Sequence, residues 1–268
     1  MTVASFPMYD FPEVHWALDA LWRAVAGNLR DRGVAGVPDE LLHTRPLAEL
    51  WTDPDLFISQ CCGLDVVKNY TRHLLPLATP LSVASGRDGH RYRSKIIVHE
   101  GSSAACLEDL RGRICAVNGP ESHSGMNVLR ALIAPLSNGR PFFAEVRESG
   151  AHADSIAMVA SGSADVAAID CVTYALLERH RPAAIEGVRV LTHSEYGPAI
   201  PYVTRTDTAP ETVERMREAI VSAFAESGIG DALDALFLVG VTVLPKGSYY
   251  ALIDFERDAV RQGYPKLQ

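Results

Sequence analysis

Short apolar stretches alternate with helical patterns along the middle of the chain, and this alternation limits the possible folds more than any other feature. The strands predicted over 114–117 and 165–169 are each followed by a helical pattern, over 125–133 and 172–179. A further strand is predicted over 141–146, ahead of a helix that begins at 155–159. Alternation of this kind builds βαβ units, in which helices cover both faces of a mainly parallel sheet. The sequence therefore predicts an α/β fold.

Both ends of the chain extend this pattern. Strands are predicted over 3–8, 55–60 and 74–82, and a C-terminal helix over 208–224 with Thr208 and Glu211 as its capping box. The chain has no repeats, low-complexity tracts or flexible linker. If the molecule has two lobes, ordered strands must join them, and the extended segments near 83–98 and 192–204 suit that role.

The charge of the chain limits the classes of molecule that it is expected to bind. The 268 residues include 25 Lys and Arg and 33 Asp and Glu, so the formal net charge is −8. No basic block interrupts the acidic balance, which argues against nucleic acid or an anionic membrane as the main partner. A small anion remains compatible, because local hydrogen-bond donors govern a pocket.

Cysteines and histidines give no metal or disulfide pattern. The five cysteines include no CxxC pair, and the adjacent Cys61 and Cys62 are expected to be small buried residues. The nine histidines are scattered without metal-ligand spacing. We therefore expect no metal and no cofactor.

The sequence leaves the compartment open. No apolar run reaches the length of a membrane span, and the first residues show no signal peptide. The protein is expected in the periplasm if a leader has been removed, and in the cytoplasm if Met1 is the native start.

The segment that follows the strand 114–117 is the first candidate site. A Gly/Pro turn leads there into a helix that begins with Ser122, His123, Ser124 and Gly125. The first turn of a helix presents free N–H groups and partial positive charge, which suit phosphate-like or carboxylate groups. The alternative is that Ser122 or Ser124 only caps the helix.

A second segment follows the strand 141–146 in the same way. His152 and Ser155 are placed where the next helix begins, at the same sheet edge as the first candidate site. Ligands of open α/β sheets bind at the carboxyl ends of strands, so two such turns favour one anion site. His152 is alternatively a surface histidine or one that only supports the site.

Three further positions end or follow predicted strands. Tyr9 follows the first strand, Gln60 ends the strand 55–60, and Asp170 ends the strand 165–169. Tyr9 can contact a ligand or cover the core. Asp170 can accept a hydrogen bond from a ligand ammonium or hydroxyl, or can cap the next helix.

Signatures of catalysis are few. The chain contains no GxSxG, HExxH or Walker sequence, and no GxGxxG that follows a strand. His123, His152 and the Cys61–Cys62 pair are able to act as base and nucleophile only if the fold brings them together. We therefore predict no catalytic residue.

The order and spacing of several blocks resemble a known family over nearly the whole chain. The chain is similar to the phosphonate/phosphate-type, PhnD-like substrate-binding proteins of ABC transporters, which have the type II periplasmic-binding-protein fold. The blocks that carry the resemblance are Pro7–Tyr9, Ser59–Gly63, Tyr92–Val98, Leu107–Gly112, Ala116–Asn118, Ser122–Gly125, Gly150–His152 with Ser155, Ser161–Asp170 and Pro198–Pro201.

The resemblance implies two α/β lobes, each a mainly parallel sheet flanked by helices, joined by two hinge strands that let the lobes close on a ligand. One lobe would hold 1–83 and 199–268, and the other 84–198. The ligand would be phosphonate, phosphate or a related oxyanion passed to an ABC permease, with the protein a monomer or weak dimer. The matched ligand-binding positions are Tyr9, Gln60, Ser122, His123, Ser124, Gly125, His152, Ser155 and Asp170.

Two other functions were weighed against transport. A cytosolic enzyme on the same fold, similar to those of thiamin-pyrimidine or menaquinone biosynthesis, would use Cys61 and Cys62 or a cleft histidine. The absence of a visible leader favours it, but likeness of fold is weak support for activity. A LysR-type sensing domain needs a DNA-binding helix-turn-helix, but the sheet is predicted to begin near residue 3, so this function is not expected unless a separate partner supplies that module.

Overall fold

The strand patterns of the sequence become short strands in the structure, a computed structural model that describes residues 2–43 and 45–268. Several bounds agree with the sequence prediction to the residue, among them Leu74–Ser82 and Ile114–Val117. In chain order the strands are β1 (Val3–Ser5), β2 (Leu56–Gln60), β3 (Leu74–Ser82), β4 (Arg87–Asp88), β5 (Arg91–Tyr92), β6 (Ser94–His99), β7 (Ile114–Val117), β8 (Glu145–Glu148), β9 (Val166–Asp170), β10 (Val188–His193), β11 (Gly197–Pro198), β12 (Tyr202–Arg205) and β13 (Leu238–Thr242).

The helices follow the apolar stripes. The first one buries Leu18, Leu21, Val25 and Leu29 at helical spacing, as their recurrence in the sequence predicts. The α-helices are α1 (His15–Asp31), α2 (Leu47–Thr52), α3 (Gly63–Val67), α4 (Val128–Ser137), α5 (His152–Ala160), α6 (Cys171–His180), α7 (Pro210–Phe224), α8 (Gly230–Ala235) and α9 (Ala251–Arg261). None of the helices in the described residues combines the length and apolar character that crossing a bilayer requires.

The chain divides into two compact units. Unit 1 takes the chain up to Val83 together with Pro198–Tyr249, and unit 2 takes Ala84–Gly197 together with Tyr250–Gln268. Each unit has its own five-stranded sheet and its own helices. Each is therefore an α/β unit built from two separate stretches of sequence.

The sheet of unit 1 is mixed, not mainly parallel as predicted. Its strand order is β1-β2-β12-β3-β13. β1 and β2 are parallel, but β12 returns from late in the chain and lies antiparallel between β2 and β3. β13, which the sequence patterns did not indicate, then adds antiparallel to β3.

The sheet of unit 2 has the order β10-β6-β9-β7-β8 and is also mixed. β9, β7 and β8 are parallel neighbours, as the alternating pattern predicts. β6 and β10 complete the sheet in antiparallel pairs. The α/β class is therefore correct, while strand direction departs from the prediction because strands distant in sequence insert into both sheets.

The C-terminal segment belongs to unit 2, whereas the sequence analysis placed it with the first lobe. Ala259, Tyr264 and Leu267 are buried in the same apolar cluster as residues of β7, β9 and α4. Arg130 of α4 donates a hydrogen bond to the backbone oxygen of Pro265 at 3.0 Å. The apolar face of α9 thus finds its core in unit 2.

Two local predictions are also corrected. The strand predicted over 141–146 begins only at Glu145, because the N–H groups of Phe142 and Phe143 donate to the backbone oxygen of Gln268 instead of to the sheet. The predicted capping box does not form at α7. The Thr208 hydroxyl bonds to that of Thr204 at 3.2 Å, and the N-cap residue is Ala209.

Candidate functional site

The carboxyl ends of β9, β7 and β8 lie side by side at one edge of the unit 2 sheet. β7 is the central strand of the three, and Val117 at its end is level with Glu148 at the end of β8. α6 begins directly after β9, and helical segments begin within a few residues of the ends of β7 and β8. Such an edge is where open α/β sheets bind ligands.

The turn after β7 contains Ser122 and the first amides of a π-helical turn, His123–Asn127, that leads into α4. The Ser122 Oγ accepts a hydrogen bond from the Gly125 N–H at 3.0 Å, so the capping interpretation of this serine is correct. A serine hydroxyl that accepts in this way still has its own hydrogen to donate. The first amides of the turn, those of His123 and Ser124, have no acceptor among the described residues.

Gly125 has a packing role that differs from the one predicted. A Cβ built at this position would lie 1.8 Å from the Asn118 Oδ1. The space that a side chain would need is therefore filled by Asn118 of the same turn, and not left for a ligand. The glycine lets the turn after β7 fold back tightly on the start of the helix.

Ser124 and His152 join the two predicted helix starts. The Ser124 Oγ lies 2.8 Å from the His152 Nε2, and the Ser124 backbone oxygen accepts from the Ser94 hydroxyl of β6 at 2.8 Å. Burial lowers the pKa of His152 to about 4, against a smaller opposing effect of the Ala168 backbone. His152 is therefore a neutral imidazole near pH 7.

Ser155 lies one turn inside α5 and not at its start. Its N–H donates to the Ala151 backbone oxygen at 2.9 Å, and its hydroxyl contacts that of Ser149 at 2.6 Å. The first amides of α5 are instead those of His152 and the two residues that follow. Ser149, which the sequence analysis did not single out, ties the end of β8 to this helix.

His123 is a core residue of unit 2. Its side chain is 1% exposed, its Nδ1 lies 3.1 Å from the Asn127 Nδ2, and the Phe255 ring packs edge-on against it at 5.0 Å. Burial lowers its pKa to about 3, so it is uncharged. Any ligand contact by this residue is left to its backbone N–H.

Asp170 caps α6, which was one of its two predicted roles. Its Oδ1 accepts from the N–H groups of Val172 and Thr173 at 2.7 and 2.9 Å. Among the predicted site residues, Tyr9 and Gln60 belong to unit 1. Tyr9 lies in the 3-10 turn after β1, and the buried Gln60 ends β2 with its Oε1 lacking a hydrogen-bond partner among the described residues.

Lys95 is a buried cation that the sequence analysis missed. It lies on β6 beside the end of β9, is 7% exposed, and places its Nζ 4.2 Å from the centroid of the Tyr174 ring. No carboxylate in the described part of the chain lies within 4.0 Å of it. A lysine inside the apolar run Lys95–Val98 was the available signal, since lysine is almost never buried unless it is paired.

Arg93 adds positive charge near the same strand. Its guanidinium lies 5.0 Å from the centroid of the Tyr196 ring, and its buried Nε has no hydrogen-bond partner in the described residues. Burial, together with Arg93 and Lys95, lowers the pKa of His193 on the neighbouring β10. Two cations, Arg93 and Lys95, therefore lie in this part of unit 2 although the whole chain is acidic.

Four of the five cysteines are buried, and Cys106 is exposed. Cys61 and Cys62 are both buried in unit 1, and burial raises the pKa of the Cys61 thiol well above its usual range. The Cys61 Sγ points to the Cys62 backbone oxygen at 3.6 Å. Because the thiolate is the nucleophilic form, this environment does not favour the enzyme alternative.

Comparison with solved structures shows the fold. The binding protein of an ABC phosphonate transporter from Pseudomonas aeruginosa superimposes with a TM-score of 0.77 at 16% identity over 97% of this chain and 87% of its own. PhnD1 from Prochlorococcus marinus, solved with methylphosphonate, gives 0.75 at 14% over 97% and 98%. XAC2383 from Xanthomonas citri, solved with chloride ion, gives 0.73 at 18% over 97% and 98%. These structures share the two-lobed periplasmic binding-protein fold that the sequence analysis predicts.

Sequence comparison identifies the family. A search among functionally curated proteins found no match. The family of phosphonate-type periplasmic substrate-binding proteins of ABC transporters matches residues 57–242, more than half of the chain. This match confirms the resemblance drawn from the sequence blocks. The chain belongs to the phosphonate periplasmic substrate-binding protein family of ABC transporters.

Proposed function

We propose that the chain binds a small oxyanion of the phosphonate or phosphate class at the carboxyl ends of β7, β8 and β9, and delivers it to an ABC permease from the periplasm. The observation that carries the proposal is the 2.8 Å contact between Ser124 and His152. It holds the first amides of two helical segments at one sheet edge, where their partial positive charges act on the same ligand.

Neutral donors suit this ligand class. The Ser122 hydroxyl has a hydrogen to donate, and the Ser124–His152 pair, which shares one hydrogen bond between two neutral groups, adds no charge. Backbone amides and hydroxyls satisfy several oxygens of a tetrahedral anion without holding it as tightly as a cluster of arginines would. A protein that must release its ligand to a permease benefits from such a site.

Lys95 supplies the long-range attraction. A buried ammonium that faces an aromatic ring and no carboxylate is costly without a counter-charge. A bound anion at the neighbouring strand ends would reduce that cost. This supports an anionic ligand over a neutral or cationic one.

Isothermal titration of the purified protein tests the proposal. Methylphosphonate, inorganic phosphate and phosphite would be titrated, with succinate as a carboxylate of comparable charge. We expect at least one of the phosphorus oxyanions to bind and to raise the melting temperature, since a ligand of the native state stabilises it. Ser124→Ala should weaken that binding about tenfold or more.

The matched control is Ser163→Ala. Ser163 is an exposed serine of the loop that leaves the other end of α5. Equal affinities for Ser163→Ala and the unmodified protein are expected. If none of the phosphorus oxyanions binds, or if Ser124→Ala binds them as the unmodified protein does, the proposed site is wrong.

A further inference from the structure

Three metal-ligating side chains meet in unit 1, away from the strand ends described above. Asp10 follows β1, His15 opens α1, and His43 lies in the loop before α2. The Asp10 Oδ1 lies 2.7 Å from the His43 Nδ1 and 3.1 Å from the His15 Nε2. All three donor atoms lie within 4.8 Å of one another.

A fourth residue fixes the orientation of His43. The Asp19 Oδ1 lies 3.0 Å from the His43 Nε2, on the opposite side of the ring from Asp10. The His15 ring stacks on that of His43, with centroids 4.0 Å apart and planes at 24°. A carboxylate on the far nitrogen is the usual second partner of a metal-bound histidine, because it sets the tautomer and the ring orientation.

The Asp10 carboxylate lies between the two imidazoles. It is only 7% exposed, and a ring nitrogen of each histidine lies within hydrogen-bond distance of it. A buried carboxylate in this position is stabilised by a cation.

The donor types select among metals. Two imidazole nitrogens and one carboxylate oxygen suit Zn²⁺, whereas Ca²⁺ and Mg²⁺ prefer all-oxygen sites. In a tetrahedral zinc site the donor atoms are about 3.3 Å apart, as follows from metal–ligand bonds of about 2.0–2.1 Å. The observed 2.7 and 3.1 Å would need to widen by about 0.6 and 0.2 Å, and the stacked histidine rings would need to turn so that both nitrogens face the metal.

We propose that Asp10, His15 and His43 bind one Zn²⁺ through Oδ1, Nε2 and Nδ1, with Asp19 holding the His43 ring. The His15 side chain is 35% exposed, so solvent reaches the site and water completes the coordination. The amino terminus of α1 carries partial positive charge, which opposes cation binding. The carboxylates of Asp10 and Asp19 offset this charge and make the position attractive to a cation.

Zinc titration of the full chain tests this proposal. The protein would first be treated with a chelator and then titrated with ZnCl₂, with MgCl₂ and CaCl₂ as comparison salts. We expect one zinc per chain by elemental analysis after desalting, and a melting temperature higher by about 5 °C at saturating zinc. Magnesium and calcium should produce neither effect.

Variants locate the site. His43→Ala should weaken zinc binding at least tenfold, and Asp10→Asn should do the same with almost no change of shape. His15→Ala tests the partly exposed ligand, and circular dichroism shows whether each variant folds. His90→Ala, an exposed histidine of unit 2, is the matched control and should bind zinc as the unmodified protein does.

Several results would overturn the proposal. They are the absence of a zinc-dependent melting shift, stoichiometric binding that His43→Ala and His15→Ala leave unchanged, and an equal loss in His90→Ala. Anion titrations are carried out separately without zinc, so failure of this site is distinguishable from failure of the anion site.

Discussion

The Ser124 Oγ and the His152 Nε2 are 2.8 Å apart, and this contact connects the turn after β7 to the first residue of α5. Two helical segments that are separate in sequence thereby share one corner of unit 2. The contact uses one lone pair or hydrogen of each side chain, and both groups retain further capacity for hydrogen bonding.

Removing the imidazole should reduce oxyanion affinity. His152→Ala removes the hydrogen-bond partner that holds the Ser124 hydroxyl, and we expect about a tenfold to hundredfold rise in Kd. His152→Gln, whose amide can reach the position of the Nε2, should recover part of the loss. Calorimetric titration with the best-bound phosphorus oxyanion measures both, and equal affinities for Ala and Gln would contradict this role of the ring.

Replacing Gly125 by alanine should destabilise unit 2. The new methyl group would meet the Asn118 Oδ1 at 1.8 Å, a clash that we expect to cost about 1–3 kcal/mol in the free energy of unfolding. Urea denaturation measures the cost. In the double variant Asn118→Ala with Gly125→Ala the penalty should shrink, and simple additivity of the two changes would disprove the clash.

Lys95 should increase the affinity for the oxyanion without stabilising the free protein. Lys95→Met keeps the length of the side chain and removes a buried charge, so the free protein should become no less stable, and up to about 1 kcal/mol more stable. The same variant should bind the oxyanion about tenfold more weakly. Denaturation without ligand and titration with it give the two values, and a marked loss of stability would show that the charge is compensated in the free protein.

His123 should contribute to acid sensitivity. Its pKa is about 3 in the folded protein, against about 6.5 when unfolded, so the unfolded chain binds the extra proton between these values. The contribution of His123 to the free energy of unfolding is therefore fully present above pH 6.5. It is lost as the pH falls from 6.5 toward 3, with a slope of about 1.4 kcal/mol per pH unit.

His123→Leu isolates that contribution. Urea midpoints at pH 7, 6 and 5 should fall less steeply for this variant than for the unmodified protein. His90→Ala, which changes an exposed histidine, should leave the slope unchanged. Parallel slopes for His123→Leu and the unmodified protein would mean that the ring titrates normally.

Local pattern was sufficient to predict much of unit 2. The apolar run at 114–117 and the serines after it gave both β7 and the helix start, because strand, turn and cap signals are all contained within about a dozen residues. The same pattern of a strand, a turn and a helix start placed His152 at the beginning of the next helix, and it is the first residue of α5. What it missed there was the position of Ser155, since the sequence does not show which residue begins a helix when no side chain caps it.

The pairing of strands that are distant in the sequence could not be predicted. β12 inserts between β2 and β3 from more than 120 residues away, and nothing in its composition specifies that direction. The fold likewise brings together Asp10, His15 and His43. The sequence did not predict this cluster, because the spacing of His15 and His43 matches no metal motif. Lys95 shows a different limit: sequence revealed its apolar surroundings but not the absence of a nearby carboxylate.

The core of unit 2 contains Ile133 and Val166 from its long segment and Ala259 and Tyr264 from the short one. Expressing residues 84–197 alone would therefore leave an apolar face of α4 bare and yield an insoluble fragment. A soluble excised unit would need 250–268 spliced back through a designed loop. The ends of an expressed fragment of this protein must therefore be chosen from the packing of the two segments and not from sequence continuity.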